Sequence, residues 1–252
     1  MQLRYGIKKE WLEFFGTKRW LAIVLPALFF VIADPLMAYF MPQLMEAMGM
    51  QELAAQFPPV QAVALQTFVS DFLQMGVLAL TLAMMRTAGG DQKNRSCVIP
   101  ICSGFSRSTY ILAKFILYPA MAFAVSVVSY LAVYGYTLFL YDERLAFTAA
   151  LLPLLAFGVF FAFAAVLMLA LGCMTGKGGI SAVIVFIGIT FVGTILSLLK
   201  LNRYNPLALM GFSAGVGEDA VLECWLSVLI TLLLGVALYF VTAAVFRKKR
   251  LV

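Results

Sequence analysis

Six long apolar runs leave this chain little choice of architecture. They fall near residues 19 to 41, 62 to 86, 107 to 138, 147 to 174, 178 to 200 and 223 to 246. About 20 residues rising ~1.5 Å each cross a hydrocarbon layer roughly 30 Å thick, so every run is long enough to span a bilayer. Lipid offers no partner for backbone N–H and C=O groups, which forces each run into a helix. The expected fold is all-α, one polytopic transmembrane domain over residues 1–252. A chain that is 63% hydrophobic and 12% charged has too few polar side chains to coat a soluble globule. The first run begins after five basic residues, as a secretory signal does. It is long, contains Pro26 and lacks a small-residue cleavage site, and so reads as a retained span.

The charges set an orientation, because Lys and Arg are retained in cytoplasmic segments. With the N-terminus inside, only Arg144, Lys200 and Arg203 of the 18 basic residues fall outside, together with Glu46, Glu52, Asp142, Glu143, Glu218, Asp219 and Glu223. Both termini are then cytoplasmic. The net charge of +6 is this asymmetry and calls for no nucleic-acid partner.

Before the first span, residues 3–17 place Leu3, Ile7, Trp11 and Phe14 on one helical face with Lys9, Glu10 and Glu13 opposite, the pattern of an amphipathic helix lying on the inner membrane surface. Residues 42–58, bracketed by Pro42 and Pro58 and rich in helix formers, predict a short external helix. The external segment 201–224 mixes apolar residues with three glycines, as a segment dipping back into the bundle would. The turn "TGKGG" between the fourth and fifth spans is too short to receive a partner except by close approach. The segment between spans two and three is larger and changes halfway from polar to "CVIPIC". A short helix there would press Val98, Ile99 and Ile101 against the bundle, with Ser106 capping the third span three residues before Thr109.

Several motifs lose to their plainer readings. "GFSAG" at Gly211–Gly215 has the spacing of a nucleophile elbow, but the chain holds no histidine, so a Ser-His-Asp triad cannot form. "TGKGG" fails as a phosphate loop, since Leu171 and Gly178 stand where Gly and Ser or Thr are needed. The chain is therefore expected not to be an enzyme. "GCMTG" has the GxxxG spacing that permits close helix approach. Cys97, Cys102, Cys173 and Cys224 form no CxxC pair, which offers neither a disulfide framework nor a structural metal site. Asp34 and Asp71 are the acids within predicted spans. A carboxylate near the bilayer centre costs at least ~2.5 kcal/mol on insertion scales, which makes both candidates for a translocation path, the plainer reading being that they sit in water at the outer vestibule or bond to neighbouring hydroxyls. Asp34 also precedes Pro35, where a kink is expected.

"KKEWLEFFGTKRW", "DPLMAYFMPQLMEAM" at the end of span one, and "IPICSGFSRSTYILAKF" entering span three together resemble the ABC type-2 permeases, membrane subunits of bacterial exporters. The resemblance covers nearly the whole chain. Gly104, Ser106, Arg107, Ala113 and Lys114 match its most specific piece, whereas "TAGGDQKNRSCV" departs from the family's Glu and Gly-Thr arrangement. It implies a coupling helix around residues 94–107, with Arg95, Val98, Ile99, Ile101, Gly104, Phe105, Ser106 and Arg107 meeting a cytoplasmic ATPase. It further implies two ATPase copies, a second permease chain that is identical or homologous, and a bacterial plasma-membrane location. ATP and Mg would be held by the partner, and no cofactor by this chain. Two other classes compete: a cation- or proton-coupled carrier using Asp34 and Asp71, and a non-transporting membrane interaction or immunity protein. The apolar surfaces of the spans favour a lipid-like or amphipathic peptide cargo.

Overall fold

The computed structural model describes residues 2–50, 60–91, 97, 102, 104–198, 205–215 and 221–248. All secondary structure among them is helical: α1 (Gln2–Gly16), α2 (Leu21–Ala47), α3 (Gln61–Met85), α4 (Arg107–Leu140), α5 (Phe147–Thr175), α6 (Gly178–Ile187), α7 (Gly193–Leu198), α8 (Ala208–Ala214) and α9 (Val221–Lys248). Six helices are long and apolar enough to cross a membrane: α2, α3, α4, α5, the stretch Gly178–Leu196 and α9. The protein is an all-α, multi-pass membrane protein.

The α5 helix is apolar all round and is the most buried of the six, because α3, α4, α6, α8 and α9 pack around it. Its Phe157 and Phe161 meet at 5.1 Å between ring centroids, and Phe161 meets Phe72 of α3 at 5.2 Å. Tyr130 of α4 closes the same aromatic cluster. Aromatic pairs in these offset and tilted arrangements add roughly 0.5–1.5 kcal/mol each beyond their burial. At the other extreme, α9 is the least buried span and leaves Leu229, Leu233 and Phe240 exposed.

Two expectations are corrected. The chain does not break at Pro42: α2 runs on through Pro26, Pro35 and Pro42 to Ala47, so residues 42–47 extend the span. A proline in a helix forfeits one hydrogen bond but need not end it where packing holds the neighbouring turns. The remainder of the expected external helix, 51–59, lies outside the described residues. The fifth span is not one regular helix, since a π-turn at Gly188–Val192 separates α6 from α7.

Within the segment between the fifth and sixth spans, α8 packs on α5 and α3 with Leu209 and Ser213 fully buried. The Ser213 hydroxyl donates to the Met210 carbonyl at 2.9 Å, so the serine of "GFSAG" is tied to its own helix.

Two ends of the bundle can be told apart by their contacts. At one end Gln61 donates to Thr137 at 3.0 Å and accepts from the Leu145 amide at 2.7 Å, and the Tyr141 hydroxyl donates to the Pro35 carbonyl at 2.9 Å. At the other end α1 lies against α4, and a π-turn at Arg86–Gly90 follows α3. There the turn between α5 and α6 meets that π-turn backbone to backbone: a Cβ on Gly178 would fall onto the Met85 carbonyl oxygen, and one on Gly89 onto the backbone of Gly178. Glycine at both positions lets the "TGKGG" turn seat directly against the exit of α3.

Candidate functional site

The amphipathic pattern of α1 places Glu10 on its polar side. The structure reverses this. Gly6, Glu10 and Phe14, spaced four apart, form the buried face, while Trp11 is exposed. Gly6 allows the contact, since a Cβ there would stand 3.1 Å from the Ala113 Cβ and 3.4 Å from the Phe105 ring. One turn on, Glu10 enters the bundle because it meets a cation. Lys114 of α4, 1% exposed, places Nζ 2.7 Å from Glu10 Oε2 and 2.7 Å from Asp91 Oδ2.

Every remaining polar atom nearby adds to this core. Tyr118 donates to Glu10 Oε2 at 3.1 Å and Tyr110 to Asp91 Oδ2 at 2.7 Å, while the Lys114 ammonium lies 5.0 Å from the Tyr110 ring centroid. Lys9 reaches Glu10 Oε1 at 3.0 Å and Glu13 at 3.2 Å. Arg19 pairs with Glu13 at 3.4 Å and donates to Thr87 of the π-turn at 3.1 Å. Three cations, Lys9, Arg19 and Lys114, thus face three carboxylates, Glu10, Glu13 and Asp91. Taking ions out of water costs several kcal/mol each, so such a cluster persists only when its charges balance and its hydrogen bonds are filled.

Burial would raise the Asp91 carboxyl, but the Lys114 charge and hydrogen bond, with the Tyr110 hydroxyl and Lys9, outweigh it and hold Asp91 below the ordinary carboxylate range. Burial, and then the Asp91 charge, push the neighbouring Cys97 thiol up. Cys97 itself is buried with Tyr110, Ile111 and Phe246 of α9, and its amide donates to the Asp91 carbonyl at 3.5 Å. The segment between α3 and α4 is therefore rooted at Asp91, Cys97 and Tyr110 in one buried cluster that also holds α1 and α9.

Compared with protein-family models, curated proteins and solved structures, the chain has no match.

Of the residues expected to meet an ATPase, Arg95, Val98, Ile99 and Ile101 lie outside the described residues. The other four cluster where α4 begins. Gly104 is exposed, adopts φ +95° and accepts from Gln2 of α1 at 3.2 Å. Phe105 is half-buried against Gly6. Ser106 caps α4 as its spacing predicts, accepting from the Thr109 amide at 3.1 Å. Arg107 donates to the Arg247 carbonyl at 3.0 Å, and the Arg247 guanidinium returns to Ser108 at 2.8 Å, tying α4 to the end of α9. Asp34 and Asp71 lie apart from this cluster: Asp34 is buried at 6% exposure, not in open water, and Asp71 is exposed.

Sequence reasoning missed Glu10 and Asp91 altogether and gave Lys114 only as part of a resemblance. One signal was present. Lys114 falls eight residues inside a run expected to span the bilayer, a position that demands a buried counter-ion.

Proposed function

We propose that this chain is the membrane-spanning subunit of an ATP-driven exporter, a permease of the ABC type-2 kind that borrows work from a separate cytoplasmic ATPase. In this reading both termini and the α3–α4 segment face the cytoplasm of a bacterial cell, two ATPase subunits bind a pair of permease chains, and ATP and Mg stay in the ATPase.

The observation that carries the reading is the rooting of the α3–α4 segment in the Glu10–Lys114–Asp91 cluster. A motor acting on that segment pulls on Asp91. Through Lys114 and Glu10 the pull reaches α4 and α1 together, because buried ion pairs in dry surroundings resist separation far more than exposed ones. The basic residues Arg95 and Arg107 stand on or beside the segment, where an acidic groove could receive them.

The test is co-purification of the full chain with candidate ABC ATPases and measurement of ATP hydrolysis by the assembly. Arg95→Glu and Arg107→Glu should each release the ATPase while the permease remains folded. Failure of every ATPase to bind, with transport persisting in vesicles that lack one, would sink the reading. The buried Oδ2 of Asp34, without a hydrogen-bond partner among the described residues, favours one competitor, a cation- or proton-coupled carrier, and that same vesicle experiment separates the two.

A further inference from the structure

Although α3 packs against α2, α4, α5, α6 and α8, one of its faces stays open. Gln66, Asp71 and Gln74 are exposed along it and Ser70 is half-buried, a spacing that gathers them on one stripe. Met75, Leu78 and Leu82 continue the stripe toward the other end and are exposed too. Glutamines and a carboxylate are costly against hydrocarbon, and within a span such side chains face a wet cavity or protein instead.

A second carboxylate stands behind this stripe. Asp34 of α2 is buried, and its Oδ2 has no hydrogen-bond partner among the described residues. Phe30, one turn before Asp34, meets Phe72 next to Asp71 with ring centroids 6.5 Å apart, which brings the two acids to the same level. No Lys or Arg occurs between Arg19 and Arg86, so neither helix supplies a countercharge.

We infer that Asp34 and Asp71 form a binding site for an organic cation with an apolar body, an ammonium-type amphiphile, on the open face of α3. The charged head sits on the exposed Asp71, in front of the buried Asp34, and supplies the countercharge that neither helix provides, with Gln66, Ser70 and Gln74 beside it. The apolar body lies along Met75, Leu78 and Leu82. A dehydrated metal ion fits poorly, because no three acidic, cysteine or histidine side chains converge there among the described residues, whereas hard cations take six or more oxygens. An organic cation needs only opposite charge and apolar contact.

The site rests on the transport reading for its purpose but is tested without any ATPase. Full-length protein in lipid nanodiscs is titrated with tritiated tetraphenylphosphonium, displaced by dodecyltrimethylammonium. Wild type should bind saturably. Asp71→Asn, an exposed position whose change leaves the fold intact, should weaken binding by about tenfold or more, the loss expected for a charge-assisted contact, while Asp71→Glu retains it. Asp34→Asn should act in the same direction. Absence of saturable binding, binding indifferent to both Asn variants, or displacement by sodium at equal concentration would overturn the inference. Saturable cation binding together with failure of every ABC ATPase to attach to the chain would defeat the exporter reading and leave the cation site standing.

Discussion

Two sets of carboxylates in this bundle have opposite fates. At the end that holds α1, Glu10 and Asp91 close on Lys114, with Tyr110 and Tyr118 filling the remaining bonds. Between α2 and α3, Asp34 and Asp71 stand at one level with no basic residue in either helix, and Asp34 Oδ2 has no hydrogen-bond partner among the described residues. The first arrangement spends its charge on holding elements together. The second keeps its charge available. A buried charge that is balanced is structure, whereas one left unbalanced is a demand for a ligand.

The comparison is broken most directly at Lys114. Lys114→Met leaves two buried carboxylates facing each other and should cost about 3–5 kcal/mol, a drop of roughly 10 °C in the apparent unfolding temperature in detergent. Adding Glu10→Gln and Asp91→Asn to the same chain should recover most of the loss; no recovery would mean that the lysine matters for packing and not for charge.

Acid sharpens the same point more gently. Asp91 is held below the ordinary carboxylate range, so its stabilisation is complete above about pH 4 and is lost as the pH falls through the lowered value. Lys114, Tyr110 and Lys9 all face it and all favour its charged form. Asp91→Asn should therefore be less stable than wild type at pH 7, with the gap narrowing below about pH 4. A gap unchanged down to pH 3 would show that Asp91 is not ionised in the fold.

The smallest effect, and the opposite sign, belongs to the unpaired site. Asp34→Asn replaces a buried carboxyl that has no hydrogen-bond partner among the described residues and should raise stability by about 1 kcal/mol in the absence of any cation, read as a rise in unfolding temperature. Destabilisation of the size seen at Lys114 would place Asp34 among the structural ions.

Local features were legible from the sequence. The six apolar runs appear as six span helices, because a run of about 20 apolar residues has one stable conformation in lipid. The Ser106 cap was legible too, since donor and acceptor lie three residues apart. The face of α1 was legible in part. Phe14 is buried as its spacing predicts, but Glu10, a carboxylate, is buried as well, because periodicity ranks side chains by polarity and cannot see a lysine 104 residues away. The extension of α2 past Pro42 was hidden for a related reason: a proline's cost depends on the packing around it.

What the sequence by itself determined is the class of molecule, an all-helical membrane protein of six spans, because hydropathy over twenty residues is a local property that lipid reads directly. Only the tertiary structure decided which charges meet. Glu10, Asp91 and Lys114 come from three separate elements, and Asp34 and Asp71 from two neighbouring spans. Which face of each helix turns inward is set by side-chain packing among helices that are all nearly equally apolar.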